Sequence, residues 1–140
     1  MYTGRMTRVL GIDYGRKRVG LALSDEAGGI AFPREELAND EKLLGELTRV
    51  VQTERVGHVV VGDTRAPGGA PNRITEETED FMKKLSAASG VPVEGVPEVW
   101  SSIEASRYAP KGREHDNAAA AAFILQRYLD MHEGSDRMRA

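Results

Sequence analysis

Residues 8–25 read RVLGIDYGRKRVGLALSD: a short apolar run ending in Asp13, a basic turn from Tyr14 to Arg18, and an alternating apolar run from Val19 to Asp25. Alternation with a period of two suits a strand, so this stretch is a strand, turn, strand unit. After the Gly28-Gly29 turn, residues 30–36 extend the sheet as a third strand, with Pro33 as a weakness in it. Asn39 or Asp40 then caps a helix whose Leu43, Leu44, Leu47, Val50 and Val51 recur at steps of three and four on one face. That helix ends near Arg55-Val56-Gly57, and HVVVGD, residues 58–63, follows as a buried strand of an α/β sheet.

The stretch DTRAPGGAPNR, 63–73, is an irregular loop, because prolines and glycines break both helix and strand. Thr75, Thr78, Phe81, Met82 and Leu85 open the next amphipathic helix, and Gly90 stops it. VPVEGVPEV, 91–99, is a fifth strand and SSIEASRY, 101–108, a short helix; APKGRE is a basic loop. Asp116 begins a long helix in which AAAAAFILQRYL has high helix propensity. There Ala119, Ala122, Phe123 and Gln126 permit close packing on a sheet, and the end from about His132 looks frayed. Three strands, then helix, strand, helix, strand, helix is the order of a ribonuclease H-like α/β domain: a mixed central sheet of about five strands with helices on both faces.

At 140 residues the chain is expected to form one such domain over 1–140, with a core at about 8–131 and short flexible ends. An apolar content of 40% is enough to build its core. No apolar run approaches the roughly 20 residues of a membrane helix, and MYTGRMTRV lacks the apolar stretch of a secretory signal, so a cytoplasmic protein is expected. The absence of cysteine excludes disulfide scaffolds, thiolate zinc sites and cysteine nucleophiles. A net charge of −3 excludes a molecule that binds nucleic acid by overall charge, leaving local patches. Arg5, Arg8, Arg16, Lys17 and Arg18 form one, and Glu76, Glu77, Glu79 and Asp80 form an acidic run. Solvated surface is the ordinary explanation of both.

Asp13 ends an apolar strand, where a charge has no structural purpose. Asp116 opens a helix, where capping is the ordinary explanation, and Glu98 follows a strand as an ordinary strand-end acid. In this element order, strand ends and a helix start converge on one sheet edge. Three carboxylates brought together there repel unless a cation neutralises them, and hard oxygen donors suit Mg²⁺ or Mn²⁺. One or two such ions, a pair being roughly 3.5 to 4 Å apart, serve phosphodiester hydrolysis. His58, His115 and His132 match no zinc pattern, and His58 reads as a strand-edge residue. Gly15 permits a tight turn and a close approach of phosphate, which Lys17 and Arg18 are placed to hold. The Walker A pattern and the Rossmann glycine fingerprint are absent. A similar opening occurs in the sugar kinase, actin and Hsp70 superfamily, which needs two such domains and a much longer chain.

From about Arg8 to Leu129 the chain resembles the YqgF/RuvX family, pre-16S rRNA nucleases also described as Holliday junction resolvase-like. The resemblance rests first on GIDYGRKRVGLALSD, with Asp13, Gly15, Lys17, Arg18, Gly20, Ala22, Ser24 and Asp25 in the family's positions. PEVWSSIEA resembles the family's second acidic segment and carries its acid onto Glu98, aligning Ser101, Ser102, Glu104 and Ala105. KGREHDNAAAAAFILQRYL resembles the closing helix and carries the third acid onto Asp116. Two departures stand out. Gly62-Asp63-Thr64 and RAPGGAPN replace the family's Gly-Leu-Pro loop, and Pro97 and Val99 replace the Asp and Arg that flank the catalytic Glu; Arg107, Lys111 or Arg113 are the candidate substitutes for that arginine.

The resemblance implies a metal-dependent nuclease acting on structured RNA during ribosome maturation, with Asp13, Glu98 and Asp116 as catalytic and metal-holding residues. Gly15, Arg16, Lys17, Arg18, Lys111 and Arg113 are the expected phosphate contacts, forming a basic rim to the acidic site. A Holliday junction endonuclease acting on branched DNA, for which symmetric cutting favours a homodimer, is the alternative enzyme. A nucleic-acid-binding module without catalysis is the alternative of another class.

Overall fold

A computed structural model describes residues 7–62, 73–96 and 117–139. Its elements are β1 (Arg8–Tyr14), β2 (Arg18–Ser24), β3 (Ala31–Ala38), α1 (Leu43–Thr53), β4 (Val56–Gly62), α2 (Arg73–Ser89), β5 (Val93–Val96) and α3 (Asn117–Arg139). The five strands form one sheet in the order β3-β2-β1-β4-β5. β1, β2 and β3 pair antiparallel, whereas β1, β4 and β5 run parallel. The sheet is therefore mixed, with the carboxyl ends of β1, β4 and β5 on one edge.

Strand alternation divides the side chains between two faces. Leu10 and Ile12 of β1, Val19 and Leu21 of β2, and Val59 and Val61 of β4 build one apolar cluster with Leu43, Leu47, Val50 and Val51 of α1 and Phe81 and Leu85 of α2. The intervening residues face α3, where Ala22 and Val60 meet Ala121, Ala122, Leu125 and Leu129. Small residues let α3 come close. A Cβ built on Gly11 would stand 2.7 Å from Leu125 Cβ, and one on Gly20 would stand 1.9 Å from the Asn117 carbonyl oxygen. The row of α3 nearest the middle of the sheet is thus Asn117, Ala121 and Leu125, with Ala122 beside it and Gln126 reaching the edge strand, rather than Ala119 and Phe123. Residues Ala119 to Leu125 are all buried, so apolarity on every side of this run conceals which side meets the sheet.

Several boundaries differ from expectation for local reasons. β3 continues to Ala38 despite Pro33, because it is the edge strand and Pro33 sits beside a register shift opposite Leu21/Ala22, where a missing N–H costs little. α1 carries no side-chain cap at Lys42; Asp40 Oδ1 instead accepts from the Lys42 N–H at 2.9 Å, one turn ahead of the helix. Asn39 is used elsewhere, as described below. α1 closes on Glu54 and then Arg55, whose φ of 56° is left-handed. α2 begins at Arg73, ahead of Thr75, and ends on Gly90 with a φ of 79°. α3 continues to Arg139 instead of fraying from His132. His58 is not at a sheet edge: β4 lies between β1 and β5, and His58 Nε2 is 2.7 Å from Glu94 Oε1 with its ring stacked on Tyr128. The short helix expected over 101–108 lies outside the described residues. No described helix is long and apolar enough to cross a membrane.

Candidate active site

One row of the sheet carries the site. Glu36, Gly20, Asp13, Gly62 and Val96 are register partners in turn across all five strands. Residues directly opposite one another point to the same face, and Gly20 shows that this is the α3 face. Asp13 is only 5% exposed, one residue from the carboxyl end of the central strand, with a glycine on each flank. In open α/β sheets ligands bind outside the carboxyl ends of the strands, and this row lies at that edge.

The row ends close to the other two predicted acids in sequence. Val96, the last residue of β5, is two residues before Glu98, and Asn117, the first residue of α3 and in contact with Gly20, follows Asp116. Glu98 and Asp116 themselves lie outside the described residues, as do Lys111, Arg113, Val99, Arg107 and the 63–72 loop. Among the described residues no three His, Asp or Glu side chains gather as a metal site. Asp13 is the member of the predicted trio that is placed.

The β1–β2 turn stands at the same edge, and its Arg16, Lys17 and Arg18 are exposed. Gly15 is required there for closure: a Cβ would sit 2.5 Å from the Arg18 carbonyl oxygen, so the space is filled by the turn itself. Asn39 at the end of β3 holds the turn from the side, donating from Nδ2 to the Gly15 carbonyl at 2.7 Å and from its N–H to the Lys17 carbonyl at 2.8 Å. Arg18 donates from Nε to Glu36 Oε1 at 2.9 Å, and Glu36 Oε2 accepts the Asn117 N–H at 2.8 Å. Sequence reasoning missed both Asn39 and Glu36. Asn39 carried a signal, a turn-type polar residue, but one that equally fits a helix cap; Glu36 carried none.

A buried acid at the end of the central strand of a mixed sheet, in a strand order 3-2-1-4-5 with helices on both faces, defines a ribonuclease H-like α/β protein with its candidate site at the carboxyl edge. The comparisons agree on the fold: RuvC of Thermus thermophilus superposes with a TM-score of 0.61 at 17% identity, covering 91% of this chain and 97% of that one. The same enzyme bound to a Holliday junction substrate gives 0.60 at 16% identity, over 91% and 96%. The family described as "RuvX: Holliday junction resolvase" matches residues 7–131, and the chain belongs to that family. Among relatives, a "Putative pre-16S rRNA nuclease" of Oleidesulfovibrio alaskensis is 36% identical over 135 residues, 90% of this chain and 94% of the relative. A protein of the same name from Anaplasma marginale is 34% identical over 140 residues, 94% and 89% of the two chains.

Proposed function

We propose that the protein is a divalent-metal-dependent nuclease that hydrolyses phosphodiester bonds of structured RNA, in the 5′-end processing of pre-16S rRNA in the cytoplasm. The observation that carries this reading is the row of the sheet in which buried Asp13 lies between Gly20, under the start of α3, and Gly62, beside the end of β5. In this reading Asp13, Glu98 and Asp116 hold Mg²⁺ or Mn²⁺. The donor set fits, because carboxylate oxygens are the hard ligands these ions take. A bound ion supplies neutralisation of developing charge and activation of water. The chain's own residues bring the substrate: Arg16 and Lys17 on the exposed turn, joined by Lys111 and Arg113, contact phosphates and set the register of the strand being cut.

The family description and the RuvC fold favour a second reading, cleavage of branched DNA by a pair of copies, since the same acids serve either sugar. Incubation of purified protein with short RNA hairpins and with a four-way DNA junction, with Mg²⁺, Mn²⁺ or a chelator, tests both on one gel. Metal-dependent cutting of RNA is the expected result. Cutting of the junction alone establishes the second reading, and binding without metal-dependent cutting of either overturns both in favour of a non-catalytic binding module.

A further inference from the structure

α3 is tied to the edge strand β3 at two points. At the end away from Asp13, Gln126 Oε1 accepts the Ala31 N–H at 2.9 Å while its Nε2 donates to the Gly29 carbonyl at 3.0 Å. At the Asp13 end, the tie is Glu36, whose carboxylate accepts the N–H of Asn117, the first residue of the helix, from 81 positions earlier in the chain. The first N–H groups of a helix have no partner within it, and a carboxylate there also meets the positive end of the helix dipole. A carboxylate has two oxygens, and the second is held by Arg18, so the side chain is fixed from both sides. Beneath it, Gly20 leaves room for the Asn117 carbonyl and for nothing larger.

We propose that Glu36 is a positioning residue for the nuclease site: it fixes the start of α3 at Asn117, the residue that follows Asp116 in the chain. Arg18 then acts on the site by orienting Glu36, leaving phosphate contact at the turn mainly to Arg16 and Lys17. The inference rests on the reading of Asp116 as a metal-holding acid. Groups that orient a metal ligand shift affinity for the ion, and those shifts run to about 10-fold or more.

The test uses the full chain as Glu36→Ala, Glu36→Gln and, as a control at the distant tie, Gln126→Ala. Amide hydrogen exchange at Asn117 is followed in the metal-free protein, and the Mn²⁺ concentration for half-maximal RNA cleavage is measured beside kcat and KM. Glu36→Ala is expected to speed exchange at Asn117 and raise the Mn²⁺ requirement about tenfold with KM unchanged. Glu36→Gln, which keeps an acceptor oxygen, restores slow exchange and most of the Mn²⁺ dependence. Gln126→Ala lowers Tm and leaves both readouts alone. Should Glu36→Ala not fold, Glu36→Asp, one methylene shorter, carries the same expectation. Unchanged exchange at Asn117, an unchanged Mn²⁺ requirement, a loss confined to KM, or an equal Mn²⁺ shift in Gln126→Ala overturns the proposal. A parent protein that cuts nothing with Mn²⁺ overturns the nuclease reading first and Glu36's role with it, while the exchange data still report whether Glu36 holds the helix start.

Discussion

The two faces of the sheet are built on opposite rules. Toward α1 and α2 the strands present Leu10, Ile12, Val19, Leu21, Val59 and Val61, large side chains with no exposure at all. Toward α3 the same strands present Gly11, Asp13, Gly20 and Ala22, so that the helix backbone comes down onto the sheet. The first face supplies apolar burial, at roughly 25 cal/mol per Å², and among the described residues buries no charged side chain. The second gives up much of that burial to bring a helix start beside a buried carboxylate. Apolar burial and the proposed chemistry thus fall on different sides of one set of strands, which alternation allows residue by residue.

Adjacent residues on β2, one on each face, separate the two roles. Leu21→Ala empties a fully buried site on the first face and is expected to cost about 2 to 5 kcal/mol, with cleavage intact below the lowered Tm. Gly20→Ala adds one methyl on the second face, against backbone 1.9 Å away, and is expected to cost about 3 kcal/mol. It should also suppress cleavage at temperatures where the variant is still folded, since the start of α3 must move. Denaturant melts together with cleavage assays on both variants check this; equal loss of activity at equal loss of stability would erase the distinction between the faces.

Smaller effects are expected at the sheet's two edges. The double substitution Arg16→Ala, Lys17→Ala removes two exposed charges at the site's edge and should flatten the slope of log affinity for single-stranded RNA against log salt by about 1.4. A salt titration by fluorescence anisotropy reads that slope, with melting expected to be unchanged. At the opposite edge Asp25 holds the turn that leads into β3. Its Oδ1 accepts from the Gly29 and Ile30 N–H groups at 2.8 and 3.1 Å. These bonds, that from Ile30 foremost, hold its carboxyl below the ordinary aspartate range against the opposing effect of desolvation. A carboxyl depressed in the folded state stabilises above its unfolded pKa, and that stabilisation is lost as pH falls through the folded value. Asp25→Ala should therefore lower stability by roughly 0.5 to 1 kcal/mol at neutral pH, and the gap to the parent should close in acid. Melts at neutral and strongly acidic pH measure it.

Much of this was legible in the residues themselves. The β1–β2 unit could be read because alternation over Val19 to Ser24 leaves one register that buries Val19 and Leu21. The place of Asp13 could be read because it is the one acid in so apolar a strand, and the fold buries it near that strand's end. Glu36 and Asn39 could not, since each acts on a partner 81 or 24 positions away and only the strand order brings them together. The orientation of α3 was hidden for a different reason: a run of alanines has no polar side to mark solvent.

The proposed nuclease site centres on buried Asp13. Asn at this position keeps the size and removes the charge, so the measurement is cleavage and melting of Asp13→Asn beside the parent, each with and without Mn²⁺. If Asp13 is one of three metal-holding acids, the parent's Tm rises with Mn²⁺, whereas the variant cuts nothing, shows no such rise and melts, without metal, at or above the parent's temperature, because one of three repelling charges is gone. A variant that melts lower without metal, beside a parent whose Tm Mn²⁺ does not move, would contradict that role and make Asp13 a structural residue.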